Sequence, residues 1–256
     1  MDCQALSGHP WRLGLATEPH EREEVYRLRY DVFFREQGYG SPEGSREDGR
    51  DVDSFDEWCD HLILYDCGEK RIIGTYRAIL GAEAVRRGGL YGGREFDLKS
   101  LEPIAGDILQ GGRTCVAAEY RSGLAIQYLS YGMELLLREY DARYFLGAET
   151  FRVNSLNTLN TIFSYVRQFG MDPDWFVPAQ PACQVAGLCV VPITSADERR
   201  LPNIIRMDLR MGFLACSPPA WDPEFAAYDL MMLGRRDRLT RVYHAFIQRI
   251  ERNVPA

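Results

Sequence analysis

The 256-residue chain has no run of about 20 apolar residues, so nothing in it reads as a membrane span. Met1 to Pro10 lacks a basic segment followed by an apolar one, and no secretory signal is expected there. The seven cysteines (Cys3, Cys59, Cys67, Cys115, Cys183, Cys189, Cys216) are scattered and odd in number, without a Cys-x-x-Cys pair. That spacing argues against a disulfide framework or a zinc site and points to a reducing cytoplasm. His9, His20 and His244 show no ligand spacing, so no metal is expected. A net basic charge is also missing. The formal charge of −7 argues against general nucleic-acid binding. Neither a repeat nor a low-complexity segment is present.

What is there is an apolar fraction of 46%, ample for a core, and an uneven charge. Residues 41–60 carry eight acids against Arg46 and Arg50. The last 24 residues carry Arg235, Arg236, Arg238, Arg241, Arg249 and Arg252 against Asp237 and Glu251. Such an end suits an acidic partner or an anionic membrane surface, although a solvated helix face has the same composition.

The periodicity predicts a strand from Trp11 to Ala16 and a helix entered at Thr17 and Pro19 that ends near Gln37-Gly38. Strands follow at His61 to Tyr65 and Arg71 to Leu80, joined by a turn at Cys67 to Lys70, then at Ile108 to Val116. Ser122 is expected to cap a long helix to Tyr140, ahead of a strand from Ala142 to Phe151 and a helix from Ser155 to Phe169. After an irregular stretch, Asp172 to Pro202, come a helix from Asn203 to Gly212, a strand near Tyr228 to Leu233 and a terminal helix. Hairpin-joined strands mixed with helices indicate a mixed α/β sandwich.

Four stretches carry the chemistry: Tyr26 to Phe33, with Arg29 and Phe33 four apart on one helical face; Asp53 to Leu62, with Asp53 and Asp56 at i and i+3; Gly74-Thr75-Tyr76-Arg77, an arginine in an apolar strand; and Gln110 to Val116 with Arg113, just ahead of Glu119-Tyr120-Arg121. One strand arginine usually pairs with a carboxylate for structure alone. Three arginines with two carboxylates make a network that is costly to build for stability, and so shape a polar site.

Taken together, these stretches resemble the ornithine-lipid acyltransferases, the hemolysin-like N-acyltransferases that depend on acyl carrier protein, and more distantly the acyl-homoserine-lactone synthases. Leu201 to Gly212, Pro219 to Phe225 and Tyr228-Asp229-Leu230 fit the same pattern, so the likeness spans roughly residues 11–250. It implies a single GNAT-like three-layer sandwich over 1–256, with a mixed central sheet, a core of about 11–170 and a C-terminal extension of about 171–256. The implied reaction moves a fatty acyl group from the phosphopantetheine thioester of acyl carrier protein to the α-amine of an amino acid, ornithine first among acceptors. This is the opening step of an aminolipid synthesis in the cytoplasm or at the inner face of its membrane, and no cofactor is implied beyond that donor. Alternatives are an N-acyl amino acid synthase, a homoserine-lactone synthase, and an inactive acyl-carrier or lipid-binding regulator.

By the same resemblance Arg29, Phe33, Asp53, Arg77 and Glu149 bind substrate. Arg121, Ser122, Gly123 and Ala125 receive the phosphopantetheine, in a stretch that overlays (Gln/Arg)-x-x-Gly-x-(Gly/Ala) with Tyr120 at its first position. Gly123 permits close backbone approach, and free amides at a helix start suit a phosphate. Arg113 and Asp56 join the catalytic set. The family has a glutamate where Gln110 stands, and Gln110 cannot accept a proton. The base then falls to Glu119, with Asp56 or Glu149 as alternatives, or Gln110 orients the amine.

Three other readings were weighed. His61 and Asp66 fit a His-x4-Asp pattern, and Ser41 to Arg46 a second motif of glycerolipid acyltransferases, but residues five apart on a strand face opposite ways. Cys115 beside Arg113 has no histidine nearby in sequence and reads as a small core residue. The stripe Ile162, Phe163, Tyr165, Val166 and Phe169 could line an acyl tunnel, but an apolar helix stripe is more often core.

Overall fold

Alternating apolar residues and tight turns build the first half of the sheet. The computed structural model describes residues 4–6, 8–40 and 48–252, so Ser41 to Arg46 lie outside the described residues. Its strands are β1 (Gln4–Ala5), β2 (Trp11–Leu15), β3 (Asp60–Asp66), β4 (Arg71–Leu80), β5 (Ile108–Val116), β6 (Tyr144–Phe151), β7 (Phe213–Ala215), β8 (Ala220–Asp222) and β9 (Ala227–Arg235). The helices are α1 (Pro19–Tyr30), α2 (Gly81–Arg86), α3 (Leu124–Glu139), α4 (Leu156–Phe169), α5 (Asn203–Met211) and α6 (Arg241–Glu251).

The strands form one mixed sheet in the order β1-β2-β3-β4-β5-β6-β9-β7, with β8 on β9. Between β3 and β4 the turn is fastened by Asp66, whose Oδ1 accepts from the Gly68 and Glu69 amides at 2.8 and 3.1 Å. Helix α1 starts at a capping box of Glu18 and Glu21 with Pro19 in its first turn, and residues 31–36 continue it as a π-helical turn. Helix α3 departs from expectation. Ser122 does not cap it; Gly123, at φ +94°, holds the cap position and no side chain covers the first amides.

Helices cover both faces of the sheet. On one, α3 and α6 bury Leu129, Leu136 and Ile247 against Leu62, Ile73 and Leu109, and α4 and α5 bury Leu159, Ile162, Val166 and Ile205 against Phe151, Leu230 and Met232. Each fully buried leucine there contributes roughly 1.5–3 kcal/mol. Ile162 and Val166 are therefore core, while Phe169 is half-exposed. On the other face, α1 covers Ile63 and Ile72, and residues 84–105 cover Ile79, Ile108, Leu146, Met231 and Leu233. The C-terminal segment is part of the sheet rather than an appendage, since β9 pairs with β6 from Tyr144↔Arg235 to Phe151↔Tyr228.

The parallel pair positions the site. Strands β5 and β6 are in register only at Ile108↔Tyr144, Leu109↔Phe145 and Gln110↔Leu146, and beyond that they splay apart. A bulge drives β5 away, because Arg77 faces Gly112 while Thr75 faces Cys115. At its centre Arg113 is left-handed, φ +52°, a strained conformation for a non-glycine residue.

Candidate active site

The strain at Arg113 is held by charge. Asp51 lies 3.4 Å from its guanidinium, Asp53 3.5 Å and Glu224 3.6 Å, and the Phe225 ring sits 4.6 Å from its carbon. Arg29 is completely buried and grips Asp56 with both terminal nitrogens, at 2.6 and 3.1 Å, and Asp51 through Nε at 2.9 Å. Arg77 donates from Nη1 to Asp53 at 2.7 Å and to Asp56 at 3.0 Å. The structure thus brings together the three predicted arginines and both predicted aspartates, and adds Asp51 and Glu224. The spacing Asp51-x-Asp53-x-x-Asp56 carried a signal for Asp51 inside the acidic run.

These partners determine which groups titrate. Burial alone would raise the Asp56 carboxyl, but Arg29 and Arg77 outweigh it and hold it well below the usual carboxylate range. Asp53 is lowered by the same contest, with Arg77 its strongest partner. Neither accepts a proton near neutrality. His61 is buried beside them, pushed down to about 4, and its neutral ring donates from Nε2 to the Asp56 carbonyl at 3.1 Å. Asp66 instead accepts from Trp11 Nε1 and Tyr120 Oη, each at 3.0 Å, so His61 and Asp66 serve separate sites. Burial raises the Cys115 thiol to about 12, which leaves no thiolate to act as nucleophile.

Three sequence candidates, Glu119, Gln110 and Phe33, are placed by contacts with other protein groups. Glu119 is exposed, ion-paired with Arg71 and held low. Arg71 lies six residues from Arg77 on β4, roughly 20 Å along the strand, so Glu119 is remote from the arginine cluster. Gln110 has both ends of its amide occupied: Oε1 accepts from the Tyr91 amide at 2.8 Å and Nε2 donates to the Tyr91 carbonyl at 2.6 Å. It fixes the loop that carries Tyr91. Phe33 packs edge-on to Phe225, centroids 6.0 Å apart, and supports the ring over Arg113. Arg121 donates to the Val116 carbonyl at 2.9 Å and pairs with Glu36 beside the uncapped α3 start, where Ser122 is exposed and Ala125 buried.

Two carboxyls flank the splay, one on each face. Glu149 shares its face of β6 with Phe145 and is hydrogen-bonded to Asp208 of α5, a contact that two carboxyls make only around a shared proton. Burial raises both; Glu149 raises the proton affinity of Asp208 further, whereas the hydrogen bond with Asp208 lowers that of Glu149. Tyr76 of β4 lies beside them, its hydroxyl bonded to Thr114 at the bulge of β5. On the arginine face Asp229 is paired across from Thr150, whose Oγ1 donates to it at 2.6 Å. Burial, with Asp222 and Glu95 nearby, pushes Asp229 up to about 7. Sequence reasoning passed over Asp229, although a carboxylate within Tyr228-Asp229-Leu230-Met231 is the same anomaly as Arg77 in its strand.

Between these carboxyls both strands carry a glycine, Gly111 on β5 and Gly147 on β6. A Cβ at Gly111 would meet the Phe145 ring at 2.6 Å and the Tyr76 ring at 2.9 Å, and one at Gly147 would stand 3.7 Å from the Gly111 carbonyl. The result is a gap between the parting strands, beside α3, whose Gly111 side is filled by the Phe145 and Tyr76 rings.

Known proteins share this fold. A family model described as an acetyltransferase (GNAT) domain matches residues 28–131. FeeM, an N-acyl amino acid synthase from uncultured soil microbes, superposes with a TM-score of 0.52 at 12% identity, covering 92% of this chain and 97% of that one. BjaI, a CoA-dependent acyl-homoserine lactone synthase, gives 0.51 at 14% identity, over 91% and 83%. The chain is an acyltransferase of the GNAT fold. Along nearly its whole length it is similar to the L-ornithine N(alpha)-acyltransferases, the family its sequence motifs resemble. It is 25% identical over 248 residues to the one from Rhodobacter capsulatus, covering 93% of this chain and 95% of that protein. It is 27% identical over 245 residues to the Brucella abortus protein, 91% and 86% of the two, and 28% over 234 to that of Rhizobium meliloti, 86% and 78%.

Proposed function

We propose that the protein transfers a fatty acyl group from an acyl-carrier-protein thioester to the α-amine of ornithine. The observation that carries the mechanism is the gap between β5 and β6, bordered by the arginine cluster and a carboxyl that titrates near neutrality. Similarity to L-ornithine N(alpha)-acyltransferases supports the acceptor. In this reading the pantetheine arm lies in the splay, along the backbone of Gly147. Its phosphate meets the uncapped amides of α3 around Gly123 and Ala125, with Arg121 and Ser122 alongside.

The acceptor approaches from the arginine face. Asp229 takes one proton of its ammonium, the free amine attacks the thioester carbonyl, the C–N bond forms and the C–S bond breaks, and the leaving thiolate takes the second proton that the nitrogen sheds as the amide forms. Asp229 suits this role better than Glu149, whose proton is shared with Asp208, and better than Asp56, which is held ionised by two arginines. The decisive experiment is mass spectrometry of lipids from cells expressing the protein. A new N-acyl ornithine species is expected, and a homoserine lactone or no new amide refutes the reading.

A further inference from the structure

Arg77 has one hand empty. Its Nη1 is used by Asp53 and Asp56, but Nη2, in a side chain only 4% exposed, has no hydrogen-bond partner. A buried guanidinium N–H without an acceptor is costly, so such an atom marks a place where something binds. Arg77 lines a cavity of about 10 Å³, room for one water or one ligand oxygen. The inner wall is buried Cys59, Ile79 and Gln110, and the rim is half-exposed Phe55, Tyr91 and Gly112. Gly112 is the second residue of β5 past its last pairing with β6, so the cavity opens beside the splay.

Only a hydrogen-bond acceptor suits this cavity. Gln110 spends its amide on Tyr91, and burial keeps the Cys59 thiol protonated, up to about 12. The guanidinium is steadied by the Tyr91 ring at 4.8 Å and Phe55 at 5.8 Å. We infer that Arg77 Nη2 receives one oxygen of the acceptor amino acid's α-carboxylate, and that Gln110 is a positioning residue that holds Tyr91 as the wall of that pocket. The inference rests on acyl transfer to an amino acid and names the anchor for that substrate. It also accounts for glutamine at 110: an ionised glutamate there has no proton to give the Tyr91 carbonyl.

The test compares L-ornithine with L-ornithinamide, in which the anionic carboxylate is replaced by a neutral amide, as acceptors for the unaltered protein with a long-chain acyl thioester. Loss of a charge-assisted bond is expected to raise KM about 10–100-fold with kcat little changed. Gln110→Ala is expected to raise KM for ornithine several-fold and leave that for ornithinamide as it was. Equal KM values for the two acceptors in the unaltered protein overturn the inference and indicate a bound water only. If no amine in an amino-acid panel is acylated, the transfer reading has failed. The pocket is then judged by equilibrium titration, where tighter binding of ornithine than ornithinamide upholds it, and equal or absent binding overturns it.

Discussion

Asp229 shows how one side chain can serve chemistry at the cost of stability. In the folded protein its carboxyl titrates at about 7, above its ordinary value near 4. The native state therefore keeps the proton to higher pH than the unfolded chain does. That contribution is complete below about 4 and is lost as pH rises through about 7. Asp229→Asn keeps an oxygen for the Thr150 hydroxyl and never ionises. Its stability is expected to vary less between pH 4 and 7 than that of the parent, and to exceed it at pH 8, by urea unfolding. Amide formation should fall about 10²–10⁴-fold, the usual worth of a positioned base. A variant that keeps full activity removes Asp229 from the mechanism. Arg29 is the opposite case, a residue whose removal should cost stability first. Arg29→Ala leaves Asp51 and Asp56 buried beside a vacancy, and a loss of about 3–5 kcal/mol in unfolding free energy is expected.

Among the elements, the splay of β5 and β6 is the feature that the sequence disclosed least. Strands β2 to β6 were readable because alternation and turn residues are local signals, as with Leu62, Leu64 and Asp66. The bulge at Arg113 was not, since nothing in Gly112-Arg113-Thr114 announces a left-handed arginine; its conformation is imposed by Asp51, Asp53 and Glu224 from distant parts of the chain. Helix α2 and strands β7 and β8 were missed because three to six residues carry too little periodicity. Arg29, Asp53, Asp56, Arg77 and Arg113 were legible as a set because charge within apolar elements is locally anomalous, whereas the exposure of Glu119 depends on where β4 begins. The gap itself can be tested through its glycines. Gly111→Ala puts a methyl into the Phe145 and Tyr76 rings and should cost about 1–3 kcal/mol of stability. A methyl at Gly147 meets only ordinary contacts, the nearest at 3.5 Å. Gly147→Ala should fold normally and raise KM for the acyl donor, and an unchanged donor KM would show that the arm does not lie there.

Over the whole molecule the charge is −7, yet the C-terminal end is basic, and the fold decides where each of its arginines stands. Arg235 and Arg238 both close on Asp174, and Arg236 stands 3.8 Å from Asp141, so these three are offset within the protein. Arg249 and Arg252 lie at the exposed far end of α6, and Arg249 reaches Gln127 in the first turn of α3 at 2.6 Å. Positive charge from the last helix thus borders the uncapped start of α3, where the phosphopantetheine is proposed to enter. An acidic carrier protein would be steered to that corner, while a detached thioester would gain little from it, because charges farther apart than about 8 Å are screened at physiological salt. Reversing both charges, Arg249→Glu with Arg252→Glu, is expected to raise KM for acyl carrier protein several-fold and to weaken its dependence on salt. The KM for the same acyl group on free pantetheine should stay within a factor of about two. Equal losses with both donors would mean that the helix matters for the packing of α3 against α6 and that the carrier docks elsewhere.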